Sequence, residues 1–426
     1  MENLAITTGY SDVNRLIWQM ETAKTEELRP LMEPVDVDGY TVSLKIDDEG
    51  EASVAVEKGG KALKTLPKAL AKNEIYLERK ESAKELKEQK RRARESLERA
   101  MTEQTEFTAA ELQNLLRNPV LSPMVKRLLW CSDESIGFLL ESDGRVELTE
   151  LNGIARPCGD TLRLAHPHDL KIAGVWADFM HLLFEQKLVQ PFKQVFREYY
   201  PLTADERQER TISRRYAGFQ VQPKRTLGLL KARGWTVDYE EGLQKVFYKE
   251  NLVVRMFAMA DWFSPADIEA PTLETVEFFN RETGENVALE EIPPILFSEV
   301  MRDLDLVVSV AYVGGVDPEA SHSTVELRLA LAGEILKLLH IDNVHFVGSH
   351  AKIEGKLASW SVHMGSGIVH AQGKGMVAVL PVHSQARGRI FLPFADDDPK
   401  TAEILSKIVL LAEDTKIKDP GILGQL

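Results

Sequence analysis

The chain has little of what usually announces a chemistry. Two cysteines in 426 residues, Cys131 and Cys158, form no CxxC pair and no disulfide framework, which fits a reducing compartment. No apolar run approaches the roughly 18 residues that a bilayer span needs. The first residues show no basic stretch followed by an apolar one, so no secretory signal is read there. HExxH and GxSxG are both absent. Glycine clusters exist but miss the phosphate-loop patterns. Gly355-Lys356 is followed by Leu357, where Ser or Thr should ligate a metal, and Gly365-Ser366-Gly367 lacks the third glycine of a dinucleotide loop. Seven of the ten histidines lie late in the chain (His322, His340, His345, His350, His363, His370 and His383), yet none has metal-ligand spacing with a cysteine. A hairpin could bring His363 and His370 toward each other, but for each alone a satisfied or exposed histidine is the plainer reading. No catalytic residue, metal site or cofactor motif is assigned.

What is present is globular. The hydrophobic fraction is 44% and the charged fraction 28%, so burial of real cores is expected, in two to four domains. A net charge of −14 argues against nucleic-acid or anionic-membrane binding by the whole surface, though not against a local basic patch. The reading is a cytoplasmic protein, part of a longer natural chain, with no membrane contact.

Taken in order, residues 1–70 read as a small α+β unit. Ser11 caps a helix that Pro30 and Pro34 end, and Tyr40–Ile46 alternates as a strand that returns through Ala52, Val54 and Val56. Residues 71–104 hold no Gly or Pro and are dense in mixed charge. Leu86, Ala93, Leu97 and Met101 make only a narrow apolar stripe, so the segment reads as a solvated helical connector. Its basic half, Lys87–Arg99, is an alternative docking surface for a partner or RNA. Residues 105–200 read as an α+β core. Thr108–Glu111 is a capping box, Ile136–Leu140 turns at Gly144 toward Val146–Leu148, and a helix spans about 170–186.

Residues 201–290 are unusual for an acidic protein. After the capping box Thr203–Glu206 come Arg207, Arg210, Arg214, Arg215, Lys224, Arg225, Lys231 and Arg233, against Glu209 alone. Helix, helix and hairpin (Val246–Tyr248 with Leu252–Phe257) follow in winged-helix order, a layout that often meets nucleic acid. Arg207, Arg210, Arg214, Arg215, Lys224 and Arg225 are therefore the candidate nucleic-acid contacts. A basic face that pairs with acidic neighbours is the plainer reading.

Residues 291–426 read as a C-terminal α/β sheet domain. Pro293-Pro294 opens a helix through Met301. Leu304–Val313 reads as a buried strand ending at Gly314-Gly315, and with the helix Ser323–Leu339 and the strand Val344–Val347 it makes a βαβ crossover. Trp360, Val362 and Met364 alternate as a half-buried strand. Asp398-Pro399 caps a helix whose Ile404, Leu405, Ile408, Val409 and Leu411 cover the sheet. Lys356, His363, Gly365, Ser366, Gly367, Lys407, Asp414 and Lys416 form the candidate polar or anion site beside the glycine turn. The expected fold class is thus α+β, multi-domain, with a helical connector, a winged-helix-like middle unit and a C-terminal α/β sheet domain.

Several phrases carry a family resemblance. Arg127-Leu-Leu-Trp130, the AHPHDL of 165–170, the QPFKQVFREYYPLT of 190–203 and the LLKARGW of 229–235 resemble the bacterial domain-of-unknown-function family numbered 4132, described as MolR-like. SEVMRDLDLVVSVA, EGKLASWSVHMGSG and LSKIVLLAEDTKIKDP resemble the C-terminal domain that accompanies it. Glu413 stands where that last phrase has Asp in the family, and the chain holds no WGR domain, which some longer members carry. The resemblance implies no reaction and no catalytic residue. It implies an assembly or regulatory role beside MoxR-type AAA ATPases and von Willebrand A-domain proteins. The leading expectation is a non-enzymatic interaction or scaffold module with protein partners. Nucleic-acid binding through 207–233 is the alternative, and a cryptic enzyme or nucleotide binder at the C-terminal glycine turns is the third.

Overall fold

The computed structural model describes residues 13–143, 145–238, 242–259, 270–313, 321–381 and 386–426. The expectations placed on Ser11, Gly144, Gly314-Gly315 and His383 lie outside the described residues. The chain forms two compact units, residues 1–195 with 393–396, and residues 196–392 with 397–426. Among the described residues every sheet is antiparallel, and there are four of them.

The first unit opens with helix α1 (Val13–Leu28) and a sheet of β1 (Val35–Val37), β2 (Tyr40–Ile46), β3 (Ala52–Lys58) and β4 (Lys61–Ala62) in that order. The β2–β3 turn closes on Asp47, whose Oδ1 accepts from the amides of Glu49 and Glu51, both at 2.9 Å. Helix α2 (Glu74–Thr102) starts at Asn73, whose side chain accepts from the amides of Ile75 and Tyr76. It is not a solvated connector. Leu86, Ala93, Leu97 and Met101 are all buried in one core with Trp18, Phe107 and Trp130. The face that packs is wider than the apolar stripe because polar residues join it. Gln89 is 0% exposed and donates to the carbonyl of Glu21 at 2.5 Å and to Thr25 Oγ1 at 2.8 Å. Burial without an unmet polar atom is what lets an uncharged amide sit there.

A six-stranded sheet completes this unit. It is built from β5 (Glu106–Thr108), β6 (Leu129–Cys131), β7 (Ile136–Ser142), β8 (Arg145–Thr149), β9 (Ala155–Pro157) and β10 (Thr161–Leu164), in the order β5-β10-β6-β7-β8-β9. Helices α3 (Ala109–Arg117) and α4 (Ser122–Lys126) precede β6, and the Thr108–Glu111 capping box is present. The expected helix over 170–186 is two, α5 (Pro167–Ile172) and α6 (Trp176–Glu185), parted at Gly174 with φ +71°. Asp169 and His166 cap α5 reciprocally. Residues 393–396 belong to this unit too. Gln190 and Phe394 form a parallel bridge, and Asp396 accepts from the Lys193 amide at 2.6 Å and from Arg94.

The second unit begins with α7 (Ala204–Glu209), β11 (Ile212–Ser213) and α8 (Pro223–Lys231). Its first sheet adds β12 (Thr236–Asp238), β13 (Gly242–Phe247), β14 (Leu252–Met259) and β15 (Thr272–Asn280), in the order β11-β15-β14-β13-β12. The element order of a winged helix is there, but the hairpin β13–β14 is no free wing. β14 is the central strand of five. Helix α9 (Pro294–Ala311) packs into its core, and this corrects the expected strand at 304–313. Val307 and Val308 continue the helical stripe of Val300, Met301 and Leu304, all buried. Among the described residues α9 leads to α10 (His322–Leu338) with no strand between them, so the expected βαβ crossover is not found there.

The C-terminal sheet is a simple meander, β16 (Val344–Val347), β17 (His350–Glu354), β18 (Ser359–His363), β19 (Val369–Ala371) and β20 (Gly375–Val377), each strand paired with the next. Helix α11 (Pro399–Ala412) lies on β17 and β18 and buries Ile404, Leu405, Ile408, Val409 and Leu411. Asp398 caps it, accepting from the Thr401 amide at 3.0 Å. A last turn, α12 (Pro420–Leu423), follows the Asp419 cap. The domain is α+β, not α/β.

Candidate functional site

The sequence marked two polar clusters, and the structure puts each to local use. In the basic segment, the capping box at the start of α7 holds Glu206 in the interior. Glu206 accepts from Ser213 Oγ at 2.6 Å and from Arg215 at 3.0 and 2.6 Å. Burial pushes the Glu206 carboxyl up, but Arg215 and the hydrogen bonds from Ser213 and Thr203 outweigh it and hold the group below the usual carboxylate range. Arg215 also donates to the Pro201 carbonyl at 2.8 Å and lies over the rings of Tyr200 and Phe297. Arg233 and Lys245 both meet Asp303, at 3.2 and 3.1 Å. Arg207 pairs with Glu290 at 3.1 Å on the surface, and Arg225 reaches the carbonyl of Val310 at 3.4 Å. Of the six candidates Arg207, Arg210, Arg214, Lys224 and Arg225 are exposed, and Arg215 is half-buried. Arg215 is a clamp inside the fold.

The second cluster divides in two. His363 accepts the Ser366 amide on Nδ1 at 3.1 Å, and Gly367 donates its amide to the His363 carbonyl at 2.8 Å. The Ile368 amide goes to Ser366 Oγ. The carbonyls of the turn face cations. Arg328, buried, donates to the Met364 and Gly365 carbonyls at 3.1 and 2.8 Å, and Lys407 to that of Gly367 at 2.9 Å. Glu403 pairs with Lys407 at 2.7 Å. An anion nest needs convergent free amides, and those of Ser366, Gly367 and Ile368 are already given. Gly367 is required there. Its φ is +75°, and a Cβ would lie 3.0 Å from Ile404 Cγ1.

Lys356 and Asp414 sit elsewhere. Asp414 is buried and accepts from the amides of Lys356, Leu357 and Ala358 at 3.0, 2.7 and 3.3 Å, and from Trp360 Nε1 at 3.1 Å. It ties the β17–β18 loop to the end of α11. Lys416 pairs with Glu413 on the surface. His363 faces His350, with ring centroids 4.9 Å apart, while the cross-strand partner of His370 is Ser361. His370 thus stands diagonal to His363 on the same face of the β18–β19 hairpin, not directly opposite it. Among the described residues no group of three or more His, Cys, Asp or Glu could hold a metal ion.

What sequence reading missed is the edge of this sheet. Among the described residues β16 pairs with β17 alone, and it presents Phe346, 38% exposed, and Val347, 60% exposed. The other edge is blunted. Past β20, Gln425 donates to the Ala378 carbonyl at 3.1 Å and accepts its amide at 2.8 Å, in the place of a neighbouring strand. A four-residue run, VHFV, with two exposed apolar side chains was the available signal.

The chain is thus an α+β protein of two compact units whose marked polar residues mostly brace the fold. Comparison with family models places it more narrowly. It carries a domain of unknown function, DUF4132, at residues 60–235, and a second, DUF7737, at residues 325–426. Residues 236–324 fall between the two matches. No curated protein matches the chain, and no solved structure does. Among the described residues no helix is long and apolar enough to cross a membrane.

Proposed function

We propose that the protein is a cytoplasmic, non-catalytic interaction module of a larger assembly, and that its C-terminal domain takes a partner segment as an added strand along β16. The carrying observation is the asymmetry of the sheet edges. Gln425 occupies the backbone of Ala378 just past the end of β20, while β16 leaves a row of backbone groups outward and exposes Phe346 and Val347. Such an edge is a template for strand addition, with backbone hydrogen bonds giving affinity and alternate side chains giving choice. A MoxR-type AAA ATPase and a von Willebrand A-domain protein are the proposed partners.

The test is affinity purification of the full chain with mass spectrometry, beside the variants Phe346→Lys and Val347→Lys. Lysine on an edge strand repels an incoming strand. Val347 lies on the face of His350 and Lys352, whereas Phe346 shares the face of buried Ala351 and Ile353, so Val347→Lys is the variant that leaves the α11-covered face alone. The expected result is a defined partner set that both variants lose while circular dichroism of Val347→Lys stays unchanged. Recovery of the same partners by all three proteins, or of none by the native chain, would refute the proposal. Direct binding to purified ATPase and A-domain proteins then tests their identity.

A further inference from the structure

A cavity of about 540 Å³ opens in the first unit, far in sequence from either polar cluster discussed above. It lies among the β6–β7 turn, the β8–β9 loop and the helices α5 and α6. Its apolar lining is Ile136, Leu151, Ile172, Val175 and Phe179. Ile172 is 76% exposed and sits among these lining residues as an apolar group still in water. The lining also carries Asp133, Glu134, Glu150 and Asp169. Arg163 is the one cation among the lining residues, and it is committed. Two of its nitrogens donate to Asp169 at 2.7 and 2.8 Å. Burial pushes the Asp169 carboxyl up, but Arg163 and the His166 amide outweigh it and hold the group below its ordinary range. Glu150 pairs at 2.7 Å with Arg156, whose side chain stands largely in water. Asp133 and Glu134 meet no cation within ion-pair distance among the described residues.

The rest of the lining argues for binding rather than reaction. Cys131 is the nucleophile type nearest to hand, but burial pushes its thiol up to about 12, so it stays protonated. Burial pushes the His168 imidazole down, so it adds no positive charge to the lining. A volume of this size suits a small molecule, and such sites pair an apolar body with a few placed polar groups.

We infer that this cavity in the DUF4132 domain binds a small organic ammonium ligand, its charged head at Asp133 and Glu134 and its hydrocarbon body against Ile136, Ile172 and Phe179. A carboxylate ligand is excluded by the net negative lining. A neutral one forgoes the charge-assisted hydrogen bonds that an ammonium makes.

The experiment uses the full chain and three probes of one shape, n-hexylammonium, n-hexanol and n-hexanoate, with saturation-transfer NMR and calorimetry. Hexylammonium should bind, hexanol about tenfold or more weakly, and hexanoate not at all. Affinity for hexylammonium should fall as salt rises. The double variant Asp133→Asn, Glu134→Gln changes two exposed side chains and should keep the fold while losing about tenfold or more of that affinity. Ile172→Ser should weaken hexylammonium and hexanol alike. Equal binding of all three probes would overturn the inference. So would native affinity in the double variant with circular dichroism unchanged, or no binding of hexylammonium at all.

Discussion

Replacing Leu97 by Ala tests whether α2 is core or connector. Leu97 is 1% exposed and packs within the cluster that holds Trp18, Phe107 and Trp130. The change removes three carbons, each worth roughly 0.8 kcal/mol on burial, or about 2.4 kcal/mol in all. The cavity left behind adds to this, so the expected loss is about 3–4 kcal/mol. For a unit of this size that corresponds to a fall in Tm of roughly 6–16 °C. Leu77 on the same helix is the control. It is 44% exposed, and Leu77→Ala should stay within about 0.5 kcal/mol, since Ala is as good a helix former. Differential scanning calorimetry of the full chain is the assay, with hydrogen exchange across 74–102 to show which transition moves. A loss below about 1 kcal/mol for Leu97→Ala, or equal losses for the two variants, would return α2 to the status of a solvated rod.

Three further outcomes are expected. Asp414→Ala strands four donors and should cost at least about 3 kcal/mol, with Asp414→Asn between it and the native chain; limited trypsin digestion should open at Lys356 in the Ala variant first. The Glu206 carboxyl is held low in the folded state, so its stabilisation is present above the unfolded value near about 4.3 and is lost as pH falls through the folded value. Urea titrations should therefore find the native chain more stable than Glu206→Gln by about 3 kcal/mol at neutral pH, and the gap should shrink below about pH 4; a gap that is constant with pH would contradict the assignment. Gly367→Ala forces a left-handed alanine against Ile404 and should lower stability by about 1–2 kcal/mol or more, read by thermal unfolding.

Local signals were well legible. The capping boxes at Thr108 and Thr203 and the caps at Asp398 and Asp419 stand where the residues placed them, because a cap depends only on neighbours in sequence. The β2–β3 hairpin is equally local. The errors came where packing partners decide. Val307, Val308 and Val310 are β-branched and read as strand, but a short apolar run cannot be told from a buried helix by periodicity, and the run is the second half of α9. In α2, Ser82, Gln89 and Ser96 count as core because distant groups or tight contacts accommodate them, and no stripe of apolar letters shows that. Arg328 was passed over for the same reason. Its value to the Gly365–Gly367 turn depends on a helix more than 30 residues away in sequence. The cavity left no motif at all, since its acids and its apolar lining come from separate loops and helices.

The brief return of residues 393–396 bears on how this chain can be divided. A fragment ending at Val195 would hold the whole contiguous part of the first unit. It would nonetheless lose the carboxylate that Arg94 and the Lys193 amide share, and the backbone partner of Gln190 on both sides, from the Gln190 amide to the Pro393 carbonyl and from the Ala395 amide to the Gln190 carbonyl. Four residues supplied from far downstream make the first unit complete only once residue 396 has been synthesised. A ribosome-bound nascent chain halted before residue 393 would hold that unit with one seam open, and gene fusions or deletions that respect the two family matches would still cut through a physical unit.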